Sequence, residues 1–583
     1  MRIDFMIFVF HLFCIWTGFC ESERPFIETK YGKIQGFDYE RSDGKLSEVF
    51  LGIPFAKPPI GELRFEKPQA PLRWETVLNA SAYGASCPPH NETVPVPPYS
   101  EDCLTLGITR PKDSSLYQEG SEKLPVLIWI HGGGYSIGST SLYPYKGLAN
   151  IYNPSNIIVV QIQYRLGFLG FFSDGSTSLP GNLGIWDQLE AIKFTREVIE
   201  SFGGDKEKIT IWGLSAGGAS VSQLGLTPYS KDLFRSMIAM SGGATMNWAF
   251  SDNVFHHSKA IAEEIGCDSG ANLKNCLKHT SLETFYKAVQ KLGSSDPGLD
   301  ILKWHPRIDR DLFPSRPEEL IKKAPKRPQI MGVSLKESLF FVVVVLGWTR
   351  SIHKLEVNRD DFDAYDKKRF EQFIRDHVAK EEFFGAKKEK AFERILAEYT
   401  KGEENAQKSF YLEMYAKLLS DIHFNVGLAR EASLRVENHH PTYVYLTEHF
   451  NSVLYPENTP VTGATHVCEY PYILEMFTLG KFTIKGDPVE EKVEKTFQQS
   501  IIEFVKTGVP KTEISPWPAS SESEISSLPY LHITSNPHLS TNFFKKELKF
   551  WDDMQKEFGY DLIRFLRISE VKEEEKEEEK EEL

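Results

Sequence analysis

Cysteine is scarce in this chain, seven in 583 residues. The close pairs Cys87/Cys103 and Cys267/Cys276 have no second Cys/His pair at zinc spacing, which argues against a metal site. A cationic surplus is also missing. The 67 Lys and Arg stand against 81 Asp and Glu, a net charge of −14, so a nucleic-acid surface is not expected. Long apolar runs are missing too. Phe340 to Trp348, with its four consecutive valines, is too short to span a bilayer and reads as a buried strand or core helix segment. No internal repeat recurs, and no clean linker divides the chain. What remains is ordinary globular composition, 41% hydrophobic and 25% charged, with ample length for a large core.

The two ends differ from the rest. Arg2, the apolar stretch Phe5 to Phe19 and Gly18-Phe19-Cys20 predict an export signal over 1–20, cut before Glu21. No transmembrane anchor is then expected, and Cys14 and Cys20 leave with the signal. Of the five remaining cysteines, four can form two local bridges in an oxidising compartment, leaving Cys468 as a small buried residue. Asn79-Ala80-Ser81 and Asn91-Glu92-Thr93 are glycosylation sequons. From Val571 onward eight Glu and three Lys hold five of the fourteen net negative charges. This acidic tail, 568–583, ends in Lys580-Glu581-Glu582-Leu583, similar to an ER-retrieval signal of the Lys-Asp-Glu-Leu type. The expected location is the ER lumen, with secretion as the alternative.

Between the ends, 21–567 reads as one domain. Ile27 to Phe37 and Val49 to Leu51 predict short strands. Pro125 to Ile130 and Ile157 to Gln163 are continuous apolar runs suited to strands buried on both faces. Trp186 to Phe202 has helical spacing, and Met237 to Met240 is another strand. Strands alternating with helices imply an α/β fold, a central mostly parallel sheet with helices on both faces. Helical patterns follow at Phe255 to Ile265, Asp360 to Tyr399 and Lys408 to Asn425, read as insertions into that core. A strand at Thr442 to Leu446 precedes helices at Phe497 to Lys506 and Phe550 to Phe565.

One turn organises the chain. Gly213-Leu214-Ser215-Ala216-Gly217 lies between an apolar strand, Lys208 to Trp212, and a small-residue helix, Ala216 to Leu224. Strand, tight turn and helix give G-x-S-x-G its chemical meaning. The turn pushes the serine hydroxyl outward, side chains at the flanking glycines would collide, and the helix N-terminus favours a developing anion. A serine hydroxyl needs a base, and the base a third group to orient it. Oxyanion donors in such a fold come from the residue after the serine, Ala216, and from a Gly-rich loop after an earlier strand, His131 to Tyr135. In the order Ser, acid, His, the loop Gly463-Ala464-Thr465-His466 singles out His466 from His423, His439, His440, His449, His532 and His538. Glu337 competes for the acid with Asp309, Asp311 and Asp421.

These segments, together with Gly52 to Pro59, Ser100 to Leu104, Tyr164 to Gly167, Gly181 to Gly184 with Asp187-Gln188, and Phe202 to Asp205, resemble the type-B carboxylesterase and cholinesterase family of α/β hydrolases over nearly the whole mature chain. The resemblance implies a serine carboxylesterase that needs no cofactor, acting on small-molecule esters through an acyl-enzyme. It implies a Ser215–Glu337–His466 triad, an oxyanion hole from Gly133, Gly134 and Ala216, and bridges Cys87–Cys103 and Cys267–Cys276. It also implies an Arg64–Glu101 ion pair and a pocket position for Trp248. Leu214 stands where the family usually has Glu, and Gly107 where a polar residue is usual. The Cys87–Cys103 loop lacks the choline-stacking Trp of cholinesterases, which argues against choline-ester hydrolysis. Non-catalytic adhesion proteins share the fold, but they usually lack the serine or the histidine.

Overall fold

The apolar runs become interior strands because no polar face has to reach water. In chain order the strands are β1 (Phe26–Thr29), β2 (Gly32–Gln35), β3 (Phe37–Glu40), β4 (Leu46–Pro54), β5 (Leu78–Asn79), β6 (Thr105–Pro111), β7 (Leu124–Ile130), β8 (Ile158–Ile162), β9 (Gly204–Leu214), β10 (Ser236–Met240), β11 (Gln329–Ser334), β12 (Thr442–Thr447), β13 (Tyr530–Ile533), β14 (His538–Ser540), β15 (Tyr560–Asp561) and β16 (Leu566–Arg567). The computed structural model describes residues 24–569 apart from 94–95, 268–269, 271, 294–298, 344–354, 356, 406–407, 479, 514–516, 522 and 524–526. The expected signal and the acidic tail beyond 569 lie outside the described residues, as do residues 344–348 of the four-valine stretch, whose start lies in a short helix, Leu339–Val342.

Eleven strands form one mixed sheet in the order β14-β13-β12-β11-β10-β9-β7-β8-β6-β4-β3. From β13 across to β8 every neighbouring pair is parallel. The margins, β14 on one side and β6, β4 and β3 on the other, are antiparallel. After β7 the chain steps sideways to β8, then returns to lay β9 along β7's other edge. Such a reversal opens a crevice at the carboxyl ends of the strands, where ligands bind in open α/β sheets. Ile130 pairs with Gly213, so the segments leaving β7 and β9 start level with each other.

The small-residue run after β9 is helical over Ala216–Leu224, as its sequence suggests, and every residue of it is buried. Between β11 and β12 the chain is mostly helical. Its last part is one long rod: an α-helix at Phe410–Ser420, a π-helical turn at Asp421–Asn425, then an α-helix at Val426–Glu437. The stretch from Asp360 to Tyr399 is several short helical pieces rather than one. The late helix Pro488–Thr507 starts well before Phe497, since Asp487 caps it and Pro488 opens it. The last helix, Lys545–Phe558, stops short of Phe565 because Gly559 turns left-handed, with φ +72°, and β15 and β16 pair beyond it.

Both bridges are present, Cys87–Cys103 and Cys267–Cys276. In the chain-entropy model a loop of the first bridge's size is worth about 3 kcal/mol. Cys468 is free and buried. Asn79 is exposed on β5, whereas Asn91 is buried and its Oδ1 accepts from the Thr93 amide and hydroxyl, both at 3.0 Å. Among the described residues no helix is long and apolar enough to cross a membrane, and no group of His, Cys, Asp and Glu could hold a metal.

Candidate active site

Ser215 caps the helix Ala216–Leu224 with φ +63° and ψ −129°, a strained backbone for a residue with a side chain. The strain is held from both sides. The Ser215 amide donates to the Met240 carbonyl at 2.8 Å, and its carbonyl accepts from the Ala219 amide at 2.9 Å. The flanking glycines are steric necessities. A methyl on Gly213 would stand 2.4 Å from the Gly217 carbonyl, and one on Gly217 would stand 2.1 Å from the Ile130 carbonyl oxygen. The turn is thus wedged against the end of β7, from which the His131–Tyr135 loop departs.

In that loop Gly133 and Gly134 have φ +112° and +59°, which glycine adopts freely. Both line the cavity that Ser215 also lines. Among the described residues the amides of Gly133, Gly134 and Ala216 have no hydrogen-bond acceptor. His131 is buried behind the loop, its Nδ1 2.9 Å from the Gly132 carbonyl and its ring 4.4 Å from that of Tyr164. Burial pushes its imidazole down to about 4, so it is neutral and serves the loop as a packing element.

Two further segments converge from β11 and β12. Glu337 follows β11 and is fully buried. Its Oε1 accepts from the Ser334 amide at 2.7 Å and from the Ser241 hydroxyl at 2.6 Å, while Oε2 lies 2.5 Å from His466 Nδ1. Backbone ties reinforce the pair, since the His466 amide donates to the Glu337 carbonyl at 3.2 Å. Rings of Phe424, Phe341 and Phe340 surround the imidazole at 5.1, 5.4 and 5.8 Å. Nδ1 facing a carboxylate leaves Nε2 as the atom able to take a proton.

The competing residues go elsewhere. Asp309 accepts from the Asp311 and Phe313 amides, Asp311 pairs with Lys67, and Asp421 pairs with Lys417. His423 and His440 face the backbone carbonyls of Leu299 and Ile321, and His449 and His532 face Glu490 and Glu448. His538 faces the Asn536 carbonyl.

The cavity at Ser215 measures about 210 Å³, and His466, Gly133, Gly134 and Trp248 line it with the serine. Its remaining wall is mostly aliphatic and aromatic, the Thr478 hydroxyl and the phenols of Tyr143 and Tyr470 being its other polar groups, with no Asp, Glu, Lys or Arg among the described lining residues. Trp248 is held by its indole N–H, which donates to the His423 carbonyl at 2.8 Å, and by the Phe424 ring at 5.5 Å. That carbonyl belongs to the π-helical turn, so the turn sets one wall of the cavity. Leu214, at the end of β9, is fully buried in the core. The Arg64 guanidinium meets Glu101, Nε to Oε2 at 2.6 Å, and also reaches the Thr280 carbonyl at 2.5 Å. The sequence reading missed Ser241 and Ser334, which hold Glu337, and Phe341 and Phe424, which wall the cavity. Isolated serines and aromatics carry no pattern that marks such roles.

Residues 23–551 match the family described as the Carboxylesterase family. "Gut esterase 1" of Caenorhabditis elegans is 39% identical over 574 residues, 97% of each chain. "Liver carboxylesterase 1" of Oryctolagus cuniculus is 32% identical, covering 91% of this chain and 94% of that one. Among solved structures, "PNB esterase" superposes with a TM-score of 0.70 at 26% identity, covering 90% of this chain and 99% of that one.

Proposed function

This chain belongs to the carboxylesterase family and is a carboxylic ester hydrolase, and from that premise we propose that it works through Ser215, His466 and Glu337 with an oxyanion hole at Gly133, Gly134 and Ala216. The observation that carries the reading is the 2.5 Å contact between His466 and Glu337 behind an imidazole that shares one cavity with Ser215. Ser215 Oγ attacks the ester carbonyl as His466 Nε2 takes its proton. Glu337 holds the ring in the tautomer with hydrogen on Nδ1 and stabilises the imidazolium that forms. The three amides receive the carbonyl oxygen as it becomes anionic. A donor of this kind is typically worth about 2.7–4 kcal/mol in the transition state. His466 then protonates the leaving alkoxide, and the alcohol departs. Water, deprotonated by the same imidazole, attacks the acyl-serine, and His466 returns that proton to Ser215 Oγ as the acid leaves.

The uncharged wall favours uncharged acyl and alcohol groups, because a charged group there would lose its hydration without gaining a partner. A Ser215→Ala variant is expected to lose turnover of a neutral chromogenic ester and to take up no phosphonate label, while wild type is labelled once, at Ser215, by peptide mass analysis. Turnover retained in the variant overturns the assignment.

The export signal, the two disulfides and the Lys580–Leu583 terminus support residence in the ER lumen, held by a retrieval receptor. Asn79 is the sequon open to a glycan. Removing the last four residues should send the esterase into the medium, and retention without them overturns the retrieval reading.

A further inference from the structure

Behind the His466–Glu337 pair lies a second carboxyl group that the hydrolytic steps do not use. Glu469, three residues past His466, is fully buried. Its Oε1 accepts from the Ser334 hydroxyl at 3.1 Å, while the Ser334 amide donates to Glu337 at 2.7 Å. One residue at the end of β11 therefore grips both carboxyl groups.

The surroundings decide which of the two is ionised. Tyr445 faces Glu469 from β12, Cys468 and Tyr470 flank it on its own segment, and Glu337 approaches from the loop after β11. Burial pushes both phenols and the thiol well up, so all three are neutral at physiological pH. The charge acting on Glu469 is thus the Glu337 carboxylate, of the same sign, and none of the leading influences on Glu469 is a cation. Two carboxylates in one dry compartment with a single imidazole to share cannot both ionise cheaply. Glu337 has the imidazole, an amide and a hydroxyl. Glu469 has no imidazole, only the Ser334 hydroxyl, its own amide, the Tyr445 phenol and, at 3.9 Å, the Cys468 thiol. The negative charge therefore resides on Glu337 and the proton on Glu469.

We propose that Glu469 is a positioning residue for ester hydrolysis, a neutral carboxylic acid that anchors Ser334 and leaves Glu337 as the sole negative charge on His466, and that its ionisation in alkaline solution switches the site off. This rests on the triad assigned above. Burial first, and the Glu337 charge second, push the Glu469 carboxyl up to about 8. Once Glu469 ionises, a second negative charge stands in the compartment of Glu337. It repels the Glu337 carboxylate across Ser334, which both groups share, and so loosens the hold that orients His466.

The test is the pH profile of kcat/KM for a neutral ester, measured on the full chain as wild type, Glu469→Gln and Ser334→Ala. Wild type should lose activity in the alkaline range as Glu469 ionises. Glu469→Gln cannot ionise, so its plateau should extend at least about one pH unit further. Ser334→Ala removes a hydrogen bond that favours the ionised form, so its alkaline limb should also move upward. Alkaline limbs that coincide in all three proteins overturn the proposal. So does a Glu469→Gln protein that fails to fold or is inactive at every pH, when the Ser334→Ala limb is unmoved. If Ser215→Ala still turns over, the triad reading itself falls. If it is inert and the limbs coincide, only the role given to Glu469 falls.

Discussion

At Gly217 there is no room for one more methyl group. Its Cβ would overlap the Ile130 carbonyl oxygen, and both partners are backbone, so neither can rotate away. Gly217→Ala should therefore move the turn off β7 at a cost of about 1–3 kcal/mol, with a lower melting temperature and slower labelling of Ser215 by a phosphonate. Labelling at the wild-type rate would mean that the wedge does not set Ser215. This much was legible in the sequence, because a G-x-S-x-G turn after an apolar strand has few geometries available. Glu337 was less legible. Nothing in its local sequence separates it from Asp421, and what does separate them is partners, an imidazole for one and Lys417 for the other. Glu469 was not legible at all, since its neutrality depends on which groups fold around it.

Among elements, the strands nearest the turn were the easiest to anticipate. β8 is buried throughout and β7 everywhere but at the half-buried Pro125, as continuous apolar runs require, and the helix after β9 has the bounds its small residues suggest. Helix ends were harder. The final helix stops at Gly559 although apolar spacing continues to Phe565, because a left-handed glycine ends a helix whatever follows it. The π-helical turn Asp421–Asn425 left no trace in the pattern. One wider turn does not disturb apolar spacing enough to be read, yet it releases backbone carbonyls for side chains to use. Two of these, at Ile422 and His423, take the Asn247 amide and the Trp248 indole. Such turns recur at functional sites for this reason, and here the turn shapes the cavity while remaining part of a helix.

For the whole molecule, solution pH acts on groups far from the cavity as well as in it. Burial pushes the imidazoles of His131, His305 and His423 down to about 4. An unfolded histidine binds its proton at about 6.5, so between these values the unfolded chain holds more protons than the folded one. The stability these residues contribute is present above the unfolded value and is lost as pH falls toward the folded one. The melting temperature should therefore drop steadily as pH falls from about 6.5 to about 4, and a flat profile would contradict neutral burial. The sign for Glu469 is opposite. Its raised value stabilises the folded chain at low pH and gives that up as pH rises toward about 8. The order of the sheet could not be read from sequence, because strand adjacency is a property of distant segments meeting.

That order carries one more consequence. Ser215 leaves the sheet at β9, whereas His466 arrives only after β12 and the helical rod before it are in place. During synthesis Ser215 emerges well before His466, so a chain made only as far as β10 holds the proposed nucleophile without its proposed base. On the proposed assignment, hydrolysis would have to wait until the segment that follows β12 has been delivered.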